Sequence, residues 1–277
     1  MLLLPQKGDT KIISNSGIVG AANPGTAVPG HASTANSYGT LTEIISAANN
    51  TQDSWGMMIY IANTGASATV SQASLDIYVG GATDDLLIKS LLCGYRAPSS
   101  GGVATYFFPI HTPPGKRIAA QLSSARTGIA ADVMIWLFGG GVPPFRPGSR
   151  VTTYGTKADN SRGLAVTPTA SGGTASVTEM SSSSTYDHFY LMPGFQAAND
   201  TTLTPSGAIN LGIGVGASTE ERIGTWWYYK GTSEDTGGPW PAIGVFRSVP
   251  ASTRLTMLAS NSGANDAGYD GHVYAVS

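Results

Sequence analysis

The stretch Ile209-Asn210-Leu211-Gly212-Ile213-Gly214-Val215 alternates apolar residues with small or polar ones without a break. This period of two is typical of a β-strand with one buried face, and its glycines leave the other face so flat that we expect another group to pack closely there. Similar runs, separated by Gly, Ser, Asn and Pro clusters, occupy residues 57–61, 74–79, 118–122 and 133–138. The chain is therefore predicted to be all-β, with antiparallel strands arranged as a sandwich or a jelly roll.

The chain also repeats itself weakly, at an offset of about 136 residues. Five short motifs recur in the same order in both halves, which is the signature of an internal duplication. The matching pairs are residues 41–44 with 177–180, 81–85 with 216–221, 101–102 with 237–238, 114–118 with 250–255, and 132–136 with 270–274. We therefore predict two tandem antiparallel β-sandwich units, jelly-roll-like in pattern, that arose from one ancestral unit.

This repeat divides the chain into four segments. Residues 1–32 are predicted to form an extended N-terminal arm and residues 33–140 the first β-sandwich unit. Residues 141–167 form a Pro/Gly-rich connector, and residues 168–277 form the second unit. Because proline fixes φ and has no N–H, the connector is expected to run extended rather than helical.

Composition excludes several classes of protein. The chain has 15 Lys+Arg against 17 Asp+Glu, so it lacks the basic face that nucleic-acid binding requires. With 41% apolar residues it is not expected to be disordered. Its longest apolar run, residues 133–138, is far too short to span a bilayer, which takes about 20 residues. No secretory signal precedes the first unit, so we expect synthesis in a cytoplasm, without nucleic-acid or membrane partners.

No catalytic or metal-binding motif is visible. Cys93 is the only cysteine, which excludes intrachain disulfides and cysteine-based metal sites. The four histidines, at positions 31, 111, 188 and 272, are far apart and lack zinc-like spacing. We predict no catalytic residue, no metal ligand and no cofactor.

Two pairs of adjacent acids, Asp84-Asp85 and Glu220-Glu221, occupy equivalent positions in the repeat. They are interpreted either as a Ca²⁺ site or glycosidase carboxylates, or as solvated turn residues. No Asp-x-Asp-x-Asp-Gly run surrounds either pair, which favours the turn, although Ca²⁺ binding is left open.

The densest aromatic cluster is Trp226-Trp227-Tyr228-Tyr229, with Trp240 nearby. On a strand, Trp227 and Tyr229 share one face while Trp226 and Tyr228 share the other. One face is expected to fill the core, and the other is a candidate platform for stacking on a sugar ring or a partner protein. The candidate contact residues are therefore Trp227, Tyr229 and Trp240.

The predicted arm carries short apolar patches but cannot build a core of its own. Its candidate anchors are Leu2, Leu3, Leu4, Ile12, Ile13, Ile18 and Val19. Such a segment is either loose or lies extended across a neighbouring subunit, where backbone hydrogen bonds and apolar anchors hold it.

One segment carries a family resemblance. Tyr106-Phe107-Phe108-Pro109-Ile110, followed by Pro113-Pro114-Gly115-Lys116-Arg117-Ile118-Ala119-Ala120-Gln121, resembles a Phe-Pro-aliphatic, Pro-x-Gly-x-Arg-aliphatic-Ala pattern of virion proteins of tailed bacteriophages. A closing Asp-Val-x-aliphatic strand tends to follow that pattern, and residues 132–135 match it. The second unit departs from the pattern, with Ala251-Ser252-Thr253 in place of Gly-Lys. The resemblance implies a β-sandwich structural protein of a phage particle and carries over no catalytic residue.

Taken together, these features predict a non-enzymatic structural subunit of a phage virion. It would decorate the capsid, form part of a head fibre, or associate with the tail, and the sequence leaves head or tail location open. Its partners would be other virion proteins and further copies of itself, joined through sheet edges and the arm. The alternative is a tandem carbohydrate-binding module that adheres to host glycans, and a third hypothesis is a hydrolase that uses Glu220 or Asp187.

Overall fold

The computed structural model describes most of the chain. The described residues are 11–15, 25–63, 71–81, 83–96, 102–157, 162–170, 173–197, 207–217, 219–230, 241–262 and 269–277. Within them the regular structure consists of eighteen β-strands. In this part of the chain, there is no helix with the length and apolar character needed to cross a bilayer.

The first nine strands form two sheets of one unit. Their bounds are β1 Lys11–Ser14, β2 Thr26–Pro29, β3 Thr42–Ile45, β4 Ser54–Asn63, β5 Ser71–Gly80, β6 Asp84–Arg96, β7 Gly102–Phe108, β8 Arg117–Ser124 and β9 Ala130–Gly139. Sheet 1A has the order β1-β9-β4-β7, with β2 also paired to β9, and sheet 1B has the order β3-β8-β5-β6.

The next nine strands repeat this arrangement. Their bounds are β10 Val151–Tyr154, β11 Leu164–Val166, β12 Ser176–Ser181, β13 His188–Ala197, β14 Gly207–Val215, β15 Glu221–Lys230, β16 Val245–Val249, β17 Leu255–Asn261 and β18 Tyr269–Val276. Sheet 2A has the order β10-β18-β13-β16, with β11 also on β18, and sheet 2B has the order β12-β17-β14-β15. Each strand therefore has its counterpart nine strands later, so the two units share one topology and the predicted duplication is confirmed.

The strand order also decides between a simple sandwich and a jelly roll. Counted from β2, sheet 1A contains the first, eighth, third and sixth strands, and sheet 1B contains the second, seventh, fourth and fifth. All pairings in these sheets are antiparallel. This is the jelly-roll order, and the second unit has it too.

Small irregularities are duplicated as well. In β3 the register against β8 shifts between Glu43 and Ile45, and in β12 the register against β17 shifts between Glu179 and Ser181. A β-bulge at the same position of both units is inherited structure, because bulges depend on a local insertion that a random strand pair does not share.

The segments predicted as the arm and the connector contain short strands in their described parts. Strands β1 and β2 lie within the predicted arm, yet both pair with β9 of their own chain. Strands β10 and β11 lie within the predicted connector and pair with β18 in the same way. The two segments are thus equivalent parts of the repeat, and each covers the free side of the last strand of its unit.

The two units are joined by a shared core rather than by a solvated linker. Five residues of the second unit belong to the same buried apolar cluster as the interior of the first, namely Val151, Tyr190, Met192, Tyr274 and Val276. Strand β6, at the edge of sheet 1B, packs against β13 and β10. Burying apolar side chains from both units in one cluster stabilises the pair as a single body.

Candidate functional site

The repeated charged residues form an arginine–carboxylate cluster in each unit. The Arg117 guanidinium binds the Asp84 carboxylate through two hydrogen bonds, one of which is 2.8 Å between Nε and Oδ1. In the second unit Arg254 binds Glu220 and also Glu179, with 2.6 Å between its Nε and a Glu179 oxygen. Each cluster ties the loop between two strands of a hairpin to the start of the next strand of the sheet.

These clusters explain two of the repeated motifs at once. Arg117, the first residue of β8, binds Asp84, the first acid of its pair. Arg254, which precedes β17, binds Glu220 in the same way, so both carboxylates form ion pairs within the fold. Hydrogen bonds from Arg117 lower the pKa of Asp84, and hydrogen bonds from Arg254 lower that of Glu220. Among the described residues, no group of three or more His, Cys, Asp or Glu side chains is placed to hold a metal ion.

Replacing Arg254 by methionine is expected to lower the melting temperature by several degrees at pH 7. Because the pKa of Glu220 is lowered in the folded chain, its contribution to stability is present above its ordinary pKa and is lost as the pH falls through the folded value. The variant should therefore show a flatter decline in stability below about pH 4.5. Thermal melts across this pH range measure both effects.

Arg247→Met is the matched control, because Arg247 binds Glu221 with both side chains largely exposed. An Arg254→Met variant with the melting temperature and acid profile of Arg247→Met would refute a stabilising role for the cluster.

A tight turn at Pro114 and Gly115 precedes β8. Gly115 has φ +71° there, and the Asn50 side-chain amide donates to the carbonyl oxygens of Pro113 (3.0 Å) and Lys116 (2.9 Å). In the second unit Ser252 takes the left-handed conformation with φ 64°, and Ser184 holds the turn through its hydroxyl. Both units therefore place a residue with positive φ in the turn before this strand, a glycine in the first unit and a serine in the second.

The junction between the units contains a buried polar network. Ser90 lies on an irregular part of β6 with φ 52°, and its N–H donates to the Asp76 carboxylate (2.7 Å). Its carbonyl accepts hydrogen bonds from Tyr274 Oη (3.0 Å) and His272 Nδ1 (2.9 Å). The Tyr274 hydroxyl in turn accepts the N–H of Leu92 (2.8 Å). Side chains of the second unit thus satisfy backbone groups along the edge strand of the first.

Aromatic packing surrounds this network. The Tyr274 ring meets Tyr106 and Phe108 edge-on, with centroid separations of 5.7 Å and 5.9 Å. Tyr190 donates its hydroxyl to the Phe107 carbonyl at 2.6 Å. Burial lowers the pKa of His272 to about 4 and raises that of Asp76, so the histidine is neutral at pH 7. The junction is a buried, hydrogen-bonded interface.

The remaining histidines have separate local partners. His31 Nδ1 accepts the N–H groups of Ser33 and Thr34, and His111 lies 2.6 Å from an Asp53 carboxylate oxygen at an exposed position. His188 Nε2 lies 2.8 Å from the Tyr154 hydroxyl, and burial lowers the pKa of this histidine. The structure does not bring the four histidines together.

Two open clefts of about 500 and 560 Å³ lie beside some of these groups. One contains Asp53 and His111, and the other contains Asp187 and His188. Asp187 accepts the backbone N–H of Ala251 at 2.7 Å, while the adjacent His188 bonds to Tyr154. Asp187 and His188 are therefore occupied in different local contacts rather than directed at one point.

The aromatic cluster on β15 divides between core and surface. Trp226 and Tyr228 are buried in the second unit, and Trp226 Nε1 donates to the Ile243 carbonyl at 2.7 Å. Trp227 points outward and is 50% exposed. The side chain of Tyr229 and the whole of Trp240 lie outside the described residues. Of the three candidate contact residues, Trp227 is therefore the one whose side-chain exposure the structure describes.

The glycine face of β14 carries the close contact that its flatness predicts. A Cβ added at Gly212 would meet the guanidinium of Arg222, which also binds the Asn210 side chain. At Gly212 the outer surface of sheet 2B is therefore covered by the Arg222 side chain.

The candidate arm anchors are distributed over described and undescribed parts of the chain. Ile13 is partly buried against the core of the first unit, and Ile12 is 59% exposed. Leu2, Leu3, Leu4, Ile18 and Val19 lie outside the described residues. Between β1 and β2 the Asn15 side chain bonds to the backbone of β9, accepting the Ile135 N–H and donating to the Val133 carbonyl.

No protein-family model matches the chain, and no curated protein matches it. Among solved structures, it is similar to PNGF-II in a P21 crystal, with a TM-score of 0.39 and 4% identity over 96% of this chain. The chain spans 65% of the length of that structure.

Two further similarities cover nearly the whole chain. The N-terminal CBM22-1-CBM22-2 tandem domain of Paenibacillus barcinonensis Xyn10C gives a TM-score of 0.29 and 9% identity, over 98% of this chain and 92% of that one. The Macrobrachium rosenbergii nodavirus gives 0.22 and 10%, over 99% and 98%. At these scores, the similarities carry no functional argument, and the β-sandwich architecture rests on the strand pairings.

Proposed function

We propose that the chain is a non-enzymatic structural subunit of a phage virion, associated with the capsid or the tail. The observation that carries the proposal is the junction, where buried side chains of the second unit complete the core of the first. The repeated charged groups support it, since Arg117, Arg254 and their carboxylate partners tie strands together within each unit. Such a body acts through its outer surfaces.

Two further points support a virion setting. The turn before β8 carries the sequence pattern that resembles tailed-phage virion proteins. Jelly rolls also recur in viral capsid and lectin domains, an analogy at the level of fold. The proposed partners are other virion proteins and further copies of this chain, and the proposed location is the mature particle.

Sedimentation of particles tests this role. Gradient-purified particles from a host that expresses the chain should contain it, and it should remain bound after a high-salt wash. Immunogold labelling would then assign it to head or tail. Recovery of the chain only in the soluble fraction, away from the particles, would refute the proposal.

Glycan adhesion is the second candidate function, favoured by the outward, half-exposed indole of Trp227. Flat exposed aromatic rings stack on the apolar faces of sugars. On a glycan array, binding should be lost in Trp227→Ala and kept in Phe246→Ala, a matched control that is 51% exposed. An array without signal would exclude glycan adhesion and leave the structural role unaffected.

A further inference from the structure

The junction inside the chain has two complementary surfaces. One is the edge of the first unit along β6, where Leu92 is fully buried. The other is the outward face of sheet 2A, which includes Met192, His272 and Tyr274, all fully buried against the first unit. We call these the edge surface and the receiving surface. Because the units are duplicates, each surface has a counterpart elsewhere on the molecule.

The counterpart of the receiving surface is the outward face of sheet 1A. Strands β4 and β9 pair Met58 with Trp136, just as β13 and β18 pair Met192 with Tyr274. The next outward pair along the strands is Tyr60 with Met134, which corresponds to Gly194 with His272. Met58, Tyr60, Met134 and Trp136 are partly exposed, whereas Met192, His272 and Tyr274 are buried. The first unit thus presents an apolar face at the position that, in the second unit, is occupied by a neighbour.

The counterpart of the edge surface lies on β15. In the first unit, Leu91 pairs with Leu75 and points into the core, and the following residue, Leu92, points outward. In the second unit Trp226 pairs with Leu211 and points into the core, and the following residue, Trp227, points outward. Leu92 is fully buried and its backbone N–H bonds to Tyr274 of the second unit, whereas Trp227 is 50% exposed. A large apolar side chain therefore occupies the position at which its duplicate makes the junction.

We propose that another copy of this chain occupies each of the two counterpart surfaces, so that the β15 edge of one molecule docks on the outward face of sheet 1A of the next. This contact repeats between molecules the arrangement that joins the two units within one molecule. It is heterologous, because the two surfaces differ, and successive contacts close into a ring or continue as a filament. The inference rests on the proposed structural role for its biological setting, but its chemistry requires only the two surfaces.

Sedimentation velocity of the full chain over a concentration series tests the proposal. The wild-type chain should form species larger than a monomer whose mass grows with concentration. Trp227→Glu on the β15 edge and Trp136→Glu on the outward face of sheet 1A should each weaken association by about 30-fold or more, the usual loss at a hot spot of an interface. Val177→Glu is the matched control, since Val177 is an exposed apolar residue of β12, at the other edge of sheet 2B.

A mixture of the two variants gives the sharpest result. Trp136→Glu keeps an intact β15 edge and Trp227→Glu keeps an intact outward face of sheet 1A, so a one-to-one mixture should form dimers and nothing larger. Circular dichroism checks that each variant is folded, and Met58→Gln replaces Trp136→Glu if the latter unfolds.

Three results would overturn the proposal: a wild-type chain that stays monomeric throughout, a mixture without dimers, or equal weakening by Val177→Glu. Binding to particles is a separate measurement, so a failure here is distinguishable from a failure of the virion role. Self-association without particle binding would support the docking surfaces and contradict the setting.

Discussion

Replacing Tyr274 by alanine is expected to destabilise the chain by about 4 kcal/mol, as is usual for a large buried aromatic side chain. The ring packs edge-on against Tyr106 and Phe108, so its removal leaves a cavity between the units. Its hydroxyl also accepts the N–H of Leu92 and donates to the carbonyl of Ser90, and the alanine variant leaves both groups buried without this partner. Urea unfolding at equilibrium measures the loss.

Two further variants separate ring from hydroxyl. Tyr274→Phe keeps the ring and should cost about 1–3 kcal/mol, the usual cost of an unsatisfied buried group. Tyr186→Phe is the surface control, since Tyr186 is exposed, and it should change stability by less than about 0.5 kcal/mol. A loss below about 1 kcal/mol for Tyr274→Ala would contradict a shared core at this position.

His272 is expected to make the chain less stable as the pH falls from 6.5 to 4. Burial lowers the pKa of this histidine from its ordinary value of 6.5 to about 4 in the folded chain. Between these values the unfolded chain binds a proton that the folded chain does not, so protonation favours unfolding. The difference corresponds to about 3 kcal/mol of stability that is present at pH 7 and lost at pH 4.

A His272→Asn variant isolates this effect. The asparagine amide can replace Nδ1 as the donor to the Ser90 carbonyl but cannot titrate in this range. Two other buried groups also titrate: Asp76 has a raised pKa and acts in the opposite direction, whereas His188 has a lowered pKa and acts in the same direction. Because both groups are present in the variant and in the wild type, their contributions cancel in the difference between the two proteins. The difference in unfolding free energy between variant and wild type should shrink from pH 7 to pH 4. A difference that is constant with pH would show that His272 is not buried as a neutral group.

The duplication and the strands were predictable because they depend on local pattern. Residues 209–215 alternate strictly, and β14 covers them. Strands β1, β2, β10 and β11 were not predictable, because they are three or four residues long and form on the last strand of each unit. No alternation can be read from so few residues, and their pairing is a tertiary effect.

The sites were predictable only in part. The acid pairs and the repeated arginines were both visible in the sequence, but Asp84 and Arg117 are 33 positions apart and only the sheet brings them together. The junction gave no signal, because Trp136 and Tyr274 are equivalent aromatic residues and only docking of the units buries one of them. Packing between the units decides which of two duplicate surfaces is covered. The periodicity of a single sequence carries no signal for such packing.

Differential scanning calorimetry of the full chain tests most directly whether the two units form one body. Because residues of both units share one buried cluster, they should unfold in a single cooperative transition, with equal calorimetric and van't Hoff enthalpies. Two separate transitions, or a calorimetric enthalpy well above the van't Hoff value, would show that the units unfold independently and would contradict the account.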